Sequence, residues 1–208
     1  MNNWVIQTKA PDDRFLEPRI MVLLHGWTGD EHSMWLFTQR FPPNLWILAP
    51  RGPIKTPETG FGWLPAKQGY RATLDEFMPA AQELGHLLTT WGQSTGIEME
   101  NINIMGFSQG AAMTAVYSLL HPKQVDRFAI LAGFLPDGIE DLIQGQTLRN
   151  KKIYIAHGTE DAIIPIDVAR KNVSLLKSFG ADLTYCESDI GHKLSSGCLK
   201  GLENFFFN

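Results

Sequence analysis

The chain is predicted to be an α/β protein built on a mostly parallel sheet. Two observations carry that expectation. Short, mostly apolar runs of four or five residues alternate with longer amphipathic segments, and most of the runs are flanked by Gly, Pro or Asn. Runs apolar on both sides suit strands covered on both faces, as in a parallel sheet between helices. Regular strand–helix alternation is the pattern of α/β folds.

The expected strands, in order, are residues 20–24 (IMVLL), 45–49 (LWILA), 102–105 (INIM), 128–131 (FAIL), 153–156 (IYIA) and 183–186 (LTYC). Residues 73–91 form an amphipathic helix, with Leu74, Phe77, Met78, Ala81, Leu84, Leu87, Leu88 and Trp91 at helical spacing. Residues 109–120 are rich in Ala, Met and Leu. Residues 166–179 carry an apolar stripe and stop at Gly180, and a last helix covers about 195–206. One stretch breaks the rhythm: residues 50–71 hold four prolines and four glycines with no periodicity. A loop this long is commonly functional, and 50–71 reads as a lid-like loop whose Phe61, Trp63 and Tyr70 pack on something.

Composition bounds the function. With 208 residues, 44% of them hydrophobic and 19% charged, the chain suits a single domain over 1–208 with a proper core. Net charge is −4, and no basic run exceeds two residues. The clustered positive charge of a nucleic-acid binder is missing. Cys186 and Cys198 are too few for a disulfide framework and belong to no metal-ligand cluster. Twelve positions apart, they leave one bridge open, with free thiols the expected state. The first residues lack the pattern of a secretory signal, and no apolar stretch approaches the roughly 20 residues of a membrane span. A soluble, cytoplasmic protein without permanent membrane association is expected; oligomeric state is not legible.

Residues 106–110 read GFSQG, a match to G-x-S-x-G. Alone the motif is weak. Here it follows the strand INIM directly and precedes the helix QGAAMTAVYSLL directly, which is the setting of a nucleophile elbow. Ser108 is the candidate nucleophile, with small neighbours Gly106 and Gly110 permitting the tight turn. A serine hydroxyl needs a base, and the base needs a carboxylate to orient it. In the α/β-hydrolase fold the chain order is Ser, acid, His. Asp161, in the loop after IYIA, and His192, in the loop after LTYC, supply that order at the sheet edge where such sites gather. His25 has the wrong order. His157 reads as structural, and His32, His86 and His121 lie in or beside helical segments. Of the rival acids, Glu160 adjoins Asp161 and points elsewhere, while Asp167 suits the first turn of a helix. The backbone N–H groups of Gln109, after the nucleophile, and Trp27, after the first apolar run, are the candidate oxyanion donors. Trp35, Phe61 and Trp63 either wall an apolar substrate pocket or pack the loop onto the body.

With these pieces in place, the chain resembles the phospholipase/carboxylesterase group of small α/β-hydrolases, which includes acyl-protein thioesterases and compact bacterial carboxylesterases. The matching segments are LLHGWTGD (23–30), APRGP (49–53), GFSQGAAM (106–113), HGTEDAIIP (157–165) and GHKLS (191–195), in family order. The resemblance implies an α/β-hydrolase fold with seven or eight strands and helices on both faces. It implies no cofactor, no metal, and hydrolysis of small-molecule carboxylic esters or thioesters through an acyl-enzyme. It assigns nucleophile, acid and base to Ser108, Asp161 and His192, and the oxyanion donors to Trp27 and Gln109. Ala111, Trp27 and the segment GFGWLP (60–65) depart from the thioesterase branch and favour general esterase activity. The competing readings are a short-chain deacetylase and a catalytically silent binding protein on the same fold.

Overall fold

The computed structural model describes residues 4–12, 19–65, 71–143 and 148–208. Its strands are β1 (Ile6–Lys9), β2 (Arg19–Leu24), β3 (Leu45–Pro50), β4 (Ile54–Lys55), β5 (Phe61–Gly62), β6 (Ile102–Phe107), β7 (Val125–Leu131), β8 (Lys152–Gly158) and β9 (Asp182–Ser188). Seven of them form one sheet in the order β1-β3-β2-β6-β7-β8-β9. Within this sheet, among the described residues, β1–β3 is the antiparallel pairing and the others are parallel. Strands β4 and β5 pair as a small separate hairpin inside the 50–71 segment.

The six apolar runs all fall in this sheet, and alternation along each strand feeds two cores. In β2, Ile20, Val22 and Leu24 face one core, while Met21 and Leu23 face the other. Both sides are dry, which is why the run shows no period of two in the sequence. The first core is covered by α1 (Leu74–Thr95), α2 (Gln109–Leu120) and α4 (Ile166–Ser178). A short α3 (Glu140–Ile143) follows β7. Helix α1 starts at a capping box, with the Thr73 N–H donating to Glu76 Oε2 at 2.9 Å. It buries Leu74, Phe77, Ala81, Leu84 and Leu88 along one stripe. Each fully buried large side chain there contributes roughly 1.5–3 kcal/mol. Helix α2 is buried from Gly110 to Leu119, because it runs between α1 and the sheet. No helix among the described residues is long and apolar enough to cross a membrane.

The opposite face is covered by α5 (Ser196–Phe207), which sets Cys198, Leu202 and Phe206 against Met21, Leu23, Ile47 and Tyr154. Its C-terminal turn is held by Arg19, whose guanidinium donates to Phe206 O at 2.6 Å. Its first turn is capped by Ser195, whose Oγ accepts from the Cys198 N–H. That packing corrects the expectation of free thiols: Cys186 in β9 and Cys198 in α5 are bridged, with their Cα atoms 5.7 Å apart. The reason is tertiary. Helix α5 folds back onto β9, so two cysteines on different elements meet.

The bridge closes a loop that carries His192. Chain-entropy reasoning gives it about 3 kcal/mol for a loop of this length. Reduction, or joint replacement of Cys186 and Cys198 by Ser, is expected to lower the melting midpoint by roughly 6–12 °C. A thiol titration checks the premise: two reactive thiols in the unfolded but unreduced protein would show that the bridge does not form.

Candidate active site

Strand β6 ends at Phe107, and the chain turns at once into α2. The turn forces Ser108 to φ 55°, ψ −118°, a backbone conformation that side-chain-bearing residues rarely adopt. Residues held there cost of order 1–3 kcal/mol and gather at functional sites. The turn closes only because its flanks lack side chains. A Cβ on Gly106 would lie 2.1 Å from Gly110 O, and one on Gly110 would lie 2.3 Å from the carbonyl oxygens of Leu24 and His25. The Ser108 N–H donates to Leu131 O, pinning the elbow to β7.

Asp161 lies three residues past β8 and His192 four past β9, at the same C-terminal edge as Ser108. His192 donates from Nδ1 to Asp161 Oδ2 at 2.7 Å. Its ring packs on Phe107, the residue before Ser108, with centroids 4.9 Å apart. Asp161 is buried and its Oδ1 accepts the N–H groups of Ile163 and Ile164, both at 2.9 Å. Burial alone pushes its carboxyl up. The Ile164 N–H, the His192 ring and the Ile163 N–H outweigh that, and the group is held below the ordinary aspartate value. A carboxylate fixed in this way holds an imidazole in one tautomer, with Nδ1 protonated and Nε2 free to act as a base.

The backbone around the elbow is braced. As the first residue of α2, Gln109 has an N–H with no intrahelical acceptor. The segment after β2 comes alongside: a Cβ on Gly26 would lie 3.3 Å from Ser108 Cβ, so the Trp27 amide is next in the chain to a residue touching the nucleophile. His25, 1% exposed, fixes that segment. It donates from Nδ1 to Gly26 O and accepts at Nε2 from the Gly52 N–H, both at 2.8 Å. Burial lowers its basicity, as a ring that must keep one bare nitrogen requires. The Gln109 side chain accepts the Trp63 N–H at 2.7 Å, and Trp63 Nε1 donates to His25 O at 2.7 Å.

These bonds change the reading of the 50–71 segment. Its described part, residues 50–65 and 71, is bonded to His25 and to Gln109, and residues 66–70, Tyr70 among them, lie outside the described residues. Of the two alternatives left open for Trp35, Phe61 and Trp63, their placement matches packing on the body. Trp63 is 1% exposed and packs between Trp4 and His25. Phe61 lies under the Arg51 guanidinium, 4.3 Å from ring centroid to Cζ. Trp35 packs into the core under α5. None of the three lines the apolar cavity beside the elbow. That cavity, about 320 Å³, is lined by Gly26, Met34, Leu36, Phe37, Phe107, Leu194 and Leu199 among others. Met34 and Leu36, which flank Trp35 in sequence, both line that cavity, while Trp35 packs against the core cluster under α5. Phe107, Leu194 and Leu199 carried no signal, because their position depends on how β6 and α5 meet. Among the described residues no group of three or more His, Cys, Asp or Glu side chains is placed to hold a metal ion.

Comparison with known proteins agrees with this architecture. The family model described as phospholipase/carboxylesterase matches residues 6–206. A probable carboxylesterase of Oryza sativa subsp. japonica is 30% identical over 131 residues, covering 62% of this chain and 49% of that protein. This chain thus spans about half the length of that relative. An acyl-protein thioesterase 1 of Gibberella zeae is 27% identical over 176 residues, covering 77% and 74% of the two chains. The solved carboxylesterase of Bacillus cereus superposes with a TM-score of 0.84 at 19% identity, covering 98% and 93%; at that identity the likeness concerns the fold, the α/β-hydrolase fold.

Proposed function

The chain belongs to the phospholipase/carboxylesterase family, and from that premise we propose that it is a serine hydrolase of carboxylic esters or thioesters. The observation that carries the proposal is the strained Ser108 at the elbow, set at the sheet edge where His192 is bonded to a buried Asp161. Ser108 Oγ attacks the acyl carbonyl while His192 Nε2 takes its proton. Asp161 stabilises the imidazolium. The oxyanion is held by the N–H groups of Trp27 and Gln109, each worth about 3–4 kcal/mol in comparable sites. His192 then gives its proton to the leaving alcohol or thiol, leaving an acyl-enzyme. Water repeats the sequence, and the free acid departs.

The apolar cavity beside Ser108 receives the acyl chain. Its volume is in the range of small-molecule sites, and Leu36, 62% exposed, extends its apolar wall outward. The test combines p-nitrophenyl esters from acetate to palmitate with a fluorophosphonate probe. Turnover of at least one ester, and a probe adduct mapped to Ser108 by mass spectrometry, are expected. A protein that hydrolyses none of them and takes no label is not a serine hydrolase.

A further inference from the structure

We infer that His157 is a positioning residue for the carboxylate of the triad, an inference that rests on the serine-hydrolase reading above. His157 is the last residue but one of β8, and its side chain has no exposed surface. Its Nε2 is 2.8 Å from Ile164 O and 3.3 Å from Asp161 Oδ2. Both neighbours are acceptors, so this nitrogen carries the proton; it donates to Ile164 O, and Asp161 Oδ2 lies beside that bond. The other nitrogen, Nδ1, is buried with no hydrogen-bond partner among the described residues.

The ring places its single proton on the carbonyl of Ile164, the residue whose own N–H donates to Asp161 Oδ1, and sets its Nε2 edge 3.3 Å from Oδ2. The consequence lies on Asp161. Its Oδ1 is fixed by two backbone N–H groups, one of them from Ile164, whereas Oδ2 accepts from His192 with His157 Nε2 3.3 Å away. His157 therefore keeps the carboxylate plane turned so that Oδ2 meets His192, and it draws charge from that oxygen. It also ties the loop back through Ile164 O. The charged groups facing His157 are Asp161 on its own loop and Glu187, its register partner on β9. Glu187 is engaged by Arg170 and Tyr185, which leaves Asp161 as the acid His157 serves.

The experiment compares wild type, His157→Leu and His157→Gln on an ester that wild type turns over. Leu removes the donor; the Gln amide nitrogen reaches the Nε2 position. For the Leu variant, kcat is expected to fall roughly tenfold to a hundredfold, the range for loss of an orienting partner elsewhere, with KM unchanged. The acid limb of kcat/KM moves to higher pH, since a less delocalised carboxylate favours the protonated His192. The Gln variant recovers most of the rate and the wild-type limb. A folded Leu variant with wild-type kcat and pH profile overturns the inference, as does a folded Gln variant as impaired as Leu. If Leu does not fold, His157→Asn replaces it. Its amide stops at the Nδ1 position, and activity equal to that of Gln overturns the inference. A wild type that neither hydrolyses esters nor takes the fluorophosphonate overturns the parent reading and this inference together, a pattern distinct from active enzyme with silent substitutions.

Discussion

Ser108→Ala is expected to lower kcat/KM for every ester the protein turns over by roughly 10⁵–10⁶-fold, the loss found when a triad nucleophile is removed elsewhere. The melting midpoint should stay where it was. Removing Oγ removes the only atom able to form the acyl-enzyme, so the oxyanion donors and the cavity are left to act on water alone. The fold has little stake in that atom. Ser108 makes no side-chain capping bond to α2, and the elbow is held by its backbone N–H on Leu131 O and by the close approach of Gly106 and Gly110. Alanine adopts the same strained φ no less readily than serine. Kinetics and a thermal melt on the same sample separate the two effects. A variant keeping a tenth of the wild-type rate would move the nucleophile elsewhere, and a variant that is inactive because it has melted would show the elbow depends on Oγ.

The fold was legible because its strands are buried on both faces. Apolar continuity in IMVLL, INIM and IYIA needs no tertiary knowledge to recognise. Strand β1 was invisible for the converse reason: Ile6–Lys9 is an edge strand, half of it exposed, and IQTK carries neither continuity nor clean alternation. The apolar runs stop short of the ends of β7, β8 and β9 because Arg127, Lys152, Asp182 and Glu187 are charged yet remain in the ladder. At the candidate site, the sequence nominates Ser108, Asp161 and His192 because each residue type follows a strand in a fixed order, and the structure brings His192 within 2.7 Å of Asp161. What surrounds them is not legible in sequence. Trp63 and Trp35 look like pocket aromatics in one dimension, but only the path of the 50–71 segment and the turn of the 3₁₀ helix at Trp35–Arg40 decide that both indoles point into cores. The pairing of Cys186 with Cys198 depends on the return of α5 to β9. The role of His157 depends on one ring orientation, which spacing does not encode.

Asp161→Asn keeps the shape of the acid and reverses one hydrogen bond, and it is expected to lower kcat by about 10⁴-fold. The amide oxygen takes the Oδ1 position, because the N–H groups of Ile163 and Ile164 both point there. The NH₂ is then forced toward His192 Nδ1, only 2.7 Å away. Two donors cannot face each other, so His192 adopts the opposite tautomer. Its Nε2 carries the proton, and it can no longer accept one from Ser108. Stability should respond in acid. Asp161 is held below its unfolded value, near 3.9, so its ionised form stabilises the fold fully above that pH. The contribution is lost as pH falls through the lower, folded value. The Asn variant lacks this dependence, so the stability gap between it and wild type should close as the solution is acidified below about pH 4. Denaturant melts across that range, with kcat at neutral pH, test both halves. An Asn variant with near-normal kcat would remove Asp161 from the triad. A gap that widened in acid would mean that the neutral carboxyl is the form the fold prefers.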